Sequence, residues 1–230
     1  MKIADEVKQG TFLRRENRFA CLVKLGRKNE RAYLPNSGRL ETVLLPGAKV
    51  FLAERASPTR TTKYDLVVAA LDGVLVSVDD RVPAELVYDA LTKGALPPFV
   101  QYSSIRREVA RGRSRLDFLL GSRASECFLQ TKSTTLVQRN GMARFPDAPT
   151  LRGRQHVQSL IWAKKEGYQT AILFVIQRED AKSFSAHDDI DGDFGRALRL
   201  AQRTGVSIYA YKCKVTPTDI ELLGQVPVKL

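Results

Sequence analysis

The chain has little sulfur. Its three cysteines, Cys21, Cys127 and Cys213, are odd in number and far apart within 230 residues. That spacing makes no disulfide framework and matches no zinc-ligand pattern, which fits a reducing, cytoplasmic setting. Long apolar runs are also missing: the longest, residues 170–176, is too short to span a bilayer. The opening Met1-Lys-Ile-Ala-Asp-Glu-Val7 lacks the apolar stretch of a secretory signal, so no membrane association is expected. No Gly-rich phosphate loop is present, which counts against an enzyme for a small phosphorylated substrate. Internal repeats and low-complexity tracts are absent too.

What the chain does have is positive charge, 37 Lys and Arg against 25 Asp and Glu, for a net +12. The excess is uneven. Residues 1–80 carry 14 basic and 10 acidic side chains, residues 81–160 carry 13 and 6, and residues 161–230 carry 10 and 9. A positive field gathered in the middle of the chain favours a polyanionic partner, with nucleic acid first and an anionic membrane surface second.

Residues 1–80 read as all-β. Short alternating segments fall near residues 10–13, 19–25, 31–34, 49–54, 64–70 and 74–78. Turn signals separate them at Lys28-Asn29, Pro35-Asn-Ser-Gly38, Pro46-Gly47, Ser57-Pro58 and Asp72-Gly73. This pattern predicts a small barrel of the OB type, a fold often used for nucleic acid. Its loops offer Arg39, Arg60 and Lys63 as DNA contacts, with ordinary solvated charge as the alternative.

From residue 81 the pattern changes. Pro83 suits a first helical turn, Leu86, Val87, Ala90 and Leu91 follow at helical spacing, and Gly94 can cap the end. A second helix is expected from Ser103 or Ser104 to Gly112. With the residues that follow it, this segment brings Arg106, Arg107, Arg111, Arg113 and Arg115 against the single acid Glu108. Guanidinium forks suit a phosphate backbone.

Two β-prone runs come next, Ser114-Arg-Leu-Asp-Phe-Leu-Leu120 and Cys127-Phe-Leu-Gln-Thr-Lys-Ser133, joined by turn formers. A symmetric hairpin sets Leu120 opposite Cys127 and therefore Asp117 opposite Gln130. Such partners have Cβ atoms about 4.5–5.5 Å apart, and the pleat sends Lys132 to the same face as Gln130. Burying an acid, an amide and an ammonium together is costly unless they pair or bind something. The cluster therefore marks a candidate site.

Beyond it, Arg139-Asn-Gly141 is a tight-turn signal between expected strands 135–138 and 142–145. A helix over residues 151–166 is capped by Thr150 and carries Arg152, Arg154 and His156 on its first turns, where an anion would be attracted. A lone histidine can equally be structural. The strand 170–176, a polar acidic loop at 187–193, a helix 194–204 and a strand 206–212 complete an α/β domain over residues 81–230 with a mixed central sheet.

The order of these elements, with Glu108, Asp117 and Gln130-x-Lys132, resembles the PD-(D/E)XK nuclease core. The chain as a whole resembles the sugar fermentation stimulation protein A family. The likeness is carried by Gly38-Arg-Leu-Glu-Thr-Val-Leu-Leu-Pro-Gly47, Lys63-Tyr-Asp-Leu66, Gly112-Arg-Ser-Arg-Leu-Asp-Phe-Leu-Leu120 and Lys132-Ser-Thr-Thr-Leu136. Phe145-Pro-Asp-Ala-Pro-Thr-Leu-Arg-Gly153 and Phe174-Val-Ile-Gln-Arg-Glu-Asp180 continue it nearly end to end. The resemblance implies an N-terminal OB-like domain, a nuclease-like C-terminal domain, DNA binding and a regulatory role in sugar (maltose) metabolism. It also implies Asp117 and Glu108 as Mg²⁺ or Mn²⁺ ligands and Lys132 as the catalytic lysine. Gln130 stands where that pattern expects an acid, which removes a formal charge while keeping an oxygen able to meet a hard cation. Two functions are therefore in view. One is largely sequence-nonspecific binding of double-stranded DNA on a degenerate nuclease-like site. The other is a metal-dependent endonuclease that hydrolyses phosphodiester bonds.

Overall fold

The computed structural model of the chain describes residues 1–55, 60–112 and 114–230. The turn signal Ser57-Pro58 and the candidate Arg113 lie outside the described residues.

Six strands open the fold: β1 (Val7–Asn17), β2 (Ala20–Leu25), β3 (Lys28–Tyr33), β4 (Lys49–Glu54), β5 (Tyr64–Leu71) and β6 (Val74–Ser77). They run β3-β2-β1-β4-β5-β6, and a further parallel β3–β5 pairing closes the first five into the expected barrel. Strand β1 is long enough to pair β2 with its second half and β4 with its first. Alternation sends Val23, Ala32, Val50, Leu52 and Leu66 inward, and their packing forms the barrel core.

The second half begins with α1 (Val82–Thr92), followed by a 3-10 turn at Pro97–Phe99. Then come β7 (Ser104–Arg111), β8 (Ser114–Gly121), β9 (Glu126–Thr134), β10 (Met142–Phe145), α2 (Leu151–Lys165) and β11 (Gln169–Ile176). The chain ends with β12 (Ser183–Ala186), α3 (Asp188–Thr204), β13 (Ser207–Val215) and β14 (Ile220–Gln225). The large sheet runs β14-β13-β11-β9-β8-β7 and is mixed: β11 lies parallel to both β9 and β13, while the outer pairs are antiparallel. One face packs on α1 and on barrel residues such as Val67 and Val68. The other is covered by α2 and α3 through Leu160, Phe174, Phe194 and Leu198. The sheet is thus buried on both sides, as its nearly continuous apolar central strand β11 requires.

Several expectations are corrected. Residues 104–111 form the edge strand β7, not a helix. Ile105 and Val109 are four apart, a spacing that fits a helical stripe and one face of a strand equally well. Pairing with β8 decides the matter, and the arginines then blunt an exposed sheet edge. Residues 135–138 keep only a single bridge, Val137 with Ala143, although the Asn-Gly turn closes as expected through Gly141 N donating to Gln138 O at 2.8 Å. The acidic segment is no loop but the first turns of α3, kinked at Asp191. The buried Asp191 carboxylate accepts from Thr150 N and Phe194 N, so it ties the start of α2 to α3. The short β12 and the half-polar β14 lack a clear period in the sequence.

Gln177, which has no exposed surface, joins the two halves at the end of β11. Its Oε1 accepts from Ser77 Oγ at 2.8 Å, and its Nε2 donates to Ser133 Oγ at 2.9 Å. Replacing it strips the fully buried Ser77 hydroxyl of its partner. Gln177→Ala is expected to lower the unfolding free energy by about 1–3 kcal/mol, measured by urea denaturation; an unchanged midpoint would show that the junction is held elsewhere.

Candidate functional site

The hairpin register continues as expected. Leu120 pairs with Cys127 and Phe118 with Leu129, which puts Asp117 opposite Gln130. Asp117 Oδ2 accepts from Gln130 Nε2 at 2.6 Å, from Thr131 N at 2.7 Å and from the Thr131 hydroxyl. These donors fix one carboxylate oxygen; among the described residues, Oδ1 accepts no hydrogen bond. Gln130 Nε2 also donates to Thr131 O at 3.0 Å, so its nitrogen has two acceptors. The amide orientation follows, because a flipped amide would set oxygen against oxygen. Gln130 Oε1 is thereby left buried with no hydrogen-bond partner, an arrangement that ordinarily needs explaining.

Lys132 lies two residues further along β9, on the face covered by α2. Its ammonium sits 3.1 Å from Nδ1 of the buried His156. Burial lowers the lysine from its usual range to about 8, partly opposed by Asp117 and reinforced by Arg152. The same burial, with Lys132 and Arg152 adding to it, holds His156 down at about 3. A neutral ring therefore accepts the lysine's proton at Nδ1 and carries its own on Nε2. No ion pair joins Asp117 to Lys132; the lysine's close partner is an imidazole. His156 is held in place by the start of α2, where Thr150 Oγ1 accepts from Gly153 N at 3.0 Å. A side chain at Gly153 would come within 2.7–2.8 Å of that threonine.

Glu108 is on β7 rather than on a helix. The pairs on either side of it, Arg107 with Phe118 and Val109 with Leu116, set it opposite Asp117, where regular pairing is interrupted. Its φ of 52° is uncommon for a residue with a side chain. Glu108, Asp117, Gln130, Lys132, Arg152 and His156 all line one cleft of about 490 Å³. The opposite wall comes from the barrel and the junction, including Asn36, Gly38, Asp80 and Arg81. There the Asp147 carboxylate accepts from Leu40 N at 3.1 Å, so close that a Cβ on Gly38 would lie 2.5 Å from it. Burial, with Asp147 and Asp79 adding to it, raises Asp80 to about 6, against hydrogen bonds from Ser133 and Ser37 N. Among the described residues, no three Asp, Glu, His or Cys side chains gather as a metal cluster.

The remaining candidates are dispersed. Arg60 pairs with the fully buried Asp65 in the barrel, and Lys63 lies 3.0 Å from Glu54. Arg106 meets Glu126 at 3.0 Å, Arg107 meets Glu85, Arg111 meets Glu166, and Arg115 lies 3.8 Å from Glu108. Arg154 pairs with Asp193. Of the arginine candidates within the described residues, only Arg39 and Arg152 are without a carboxylate partner, and only Arg152 of these two lines the cleft. The arginines thus line an edge strand instead of encircling Asp117. Three further cations that reach the cleft, Arg18, Arg81 and Arg144, were not singled out from the sequence. Their signals were present: Arg81 follows Asp79-Asp80 at the junction, and Arg144 precedes the Phe145-Pro-Asp-Ala-Pro motif.

Two family models account for most of the chain. The SfsA N-terminal OB domain matches residues 13–78, and the sugar fermentation stimulation protein RE domain matches residues 81–219. The chain belongs to the sugar fermentation stimulation protein family. A homolog from Clostridium perfringens (strain 13 / Type A) is 41% identical, with 100% of both chains covered. One from Clostridium botulinum (strain Loch Maree / Type A3) is 38% identical over the same full extent. The solved structure of Pyrococcus furiosus SfsA in complex with Ca²⁺ superposes with a TM-score of 0.91 at 29% identity, covering 100% of each chain. The fold of this family member is an OB barrel followed by an α/β domain with a mixed sheet. No helix among the described residues is long and apolar enough to cross a membrane.

Lys132 is charged at a cost in this setting, because its folded-state pKa of about 8 is below the ordinary 10.5. The unfolded chain binds the extra proton between those values, so stability rises with pH across that window. Lys132→Met is expected to raise the Tm below pH 8, with the gain fading toward pH 10. A gain that did not vary with pH would assign it to packing.

Proposed function

We propose that this protein binds DNA along the cleft between barrel and sheet, largely without regard to sequence, and that this binding serves a regulatory role in sugar use. The observation that carries the reading is the placement of Lys132 and Arg152 beside Asp117 in one cleft, with Arg18, Arg81 and Arg144 on its walls. Arg152 has no carboxylate partner among the described residues, and Lys132 faces a neutral ring, so both charges are available to phosphate. The relatives' name, sugar fermentation stimulation protein, supports the regulatory setting.

Binding is expected to weaken steeply as salt rises, because phosphate contacts release counterions. Arg152→Ala should weaken affinity uniformly across sequences and reduce the slope of log K against log salt by about 1. Fluorescence anisotropy on two unrelated duplexes measures both quantities, and an affinity indifferent to salt would sink the reading.

A second reading, a Mg²⁺- or Mn²⁺-dependent endonuclease, is favoured by the orphaned Gln130 Oε1 beside Asp117. A buried oxygen without a donor is what a hard cation would satisfy, so these residues fit the metal that the resemblance implies. Asp117 and Gln130 would hold the ion, with Glu108 completing the donor set across the strand pair. When bound, such an ion neutralises developing charge on a phosphate. The Pyrococcus furiosus relative was solved in complex with Ca²⁺, which supports use of a divalent cation. Lys132 would steady phosphate charge from the adjoining wall. Calorimetric titration with Mn²⁺ should show one site that Asp117→Ala abolishes and Gln130→Glu tightens. Cleavage of plasmid DNA that survived Asp117→Ala would assign cutting to something other than this site.

A further inference from the structure

The two-residue turn between β1 and β2 is built from Arg18 and Phe19. Neither Arg18 nor Phe19 has a positive φ, so the turn admits any side chain and small polar residues would serve it equally well. Here a large aromatic stands at the tip instead, with 43% of its surface open to solvent. The turn does not need it, since Asn17 Oδ1 already accepts from Phe19 N at 2.9 Å. The ring lies over Tyr33 with centroids 6.2 Å apart and planes 27° from parallel.

Three guanidinium groups surround this pair. Arg18 lies 5.3 Å from the Phe19 centroid, and Arg60 and Arg81 lie 5.6 and 5.9 Å from that of Tyr33. Arg60 and Arg81 are both anchored on the fully buried Asp65, which fixes their position while leaving 26% and 52% of their side chains exposed. Arg18 and Arg81 also line the cleft that holds Asp117. The aromatic tip is therefore continuous with the candidate site.

We propose that Phe19 and Tyr33 form a stacking platform for an unpaired base of a single-stranded DNA segment whose phosphates continue into the cleft. The proposal rests on the DNA-binding reading above and deepens it, because a duplex offers no open base face to such a ring. Stacked aromatics beside cations that follow the backbone are the chemistry by which barrels of this kind hold single strands. Arg18 serves both parts, lying beside the ring and lining the cleft, where it can hold the phosphate next to a stacked base.

The test compares a 5′-labelled twelve-nucleotide dT strand, the same-length U strand and a twelve-base-pair duplex by fluorescence anisotropy. Phe19→Ala is expected to weaken dT binding about ten-fold or more and duplex binding less than two-fold. Phe19→Trp should retain dT binding, and its unchanged thermal midpoint would show that the turn still folds. If Phe19→Ala binds dT as the native chain does, or loses both ligands equally, the platform is refuted while duplex binding stands. If the native chain binds the U strand ten-fold tighter than dT, the assignment to DNA is overturned. Failure of the native chain to bind any of the three would remove the DNA-binding reading together with this one.

Discussion

One carboxylate oxygen organises the cleft. Asp117 Oδ2 is held by three donors from the neighbouring strand, two of them from Thr131. That grip keeps an acid at the face of a sheet otherwise filled with leucine, valine and phenylalanine. It also spends the nitrogen of Gln130 on the acid and leaves the amide oxygen bare. Charge that would be costly alone is thereby kept in a defined geometry. Lys132 enters the same wall by another route, with its ammonium resting on a neutral imidazole instead of a counter-ion. Both devices keep charge available at the cleft surface instead of quenching it internally.

Much of this was legible in the sequence because it depends on a period of two. Once Leu120 faces Cys127, the positions of Asp117, Gln130 and Lys132 follow by counting, and the barrel strands follow from the same alternation between turn signals. Thr150 was legible as a cap because its side chain answers a local need of α2. The failures were places where local pattern was neutral and pairing decided. Ile105 and Val109 suited either structure until β8 supplied a partner. Asp191, placed in a loop by its acidic neighbours, is a buried acceptor serving two helices at once, a long-range role that no local spacing encodes.

Charge was the least legible quantity. The count of arginines between residues 106 and 115 correctly marked a basic segment, but a count does not show partners. Most of those side chains meet an acid from another element: Glu85 from α1, Glu126 from β9 or Glu166 at the end of α2. Exposed pairs of this kind contribute little to stability, yet they lower the field that a polyanion would meet. The cations that reach the cleft come instead from the hairpin tip, the junction, β9, β10 and the start of α2.

The contact between Gly38 and Asp147 has a bearing on descent and engineering. The barrel loop and the sheet's connecting segment approach so closely that neither can change shape without the other. A hybrid that joined this barrel to another protein's sheet would inherit half of a wall. The halves are accordingly expected to drift as a couple, with any gain of bulk at one position matched by a retreat at its counterpart.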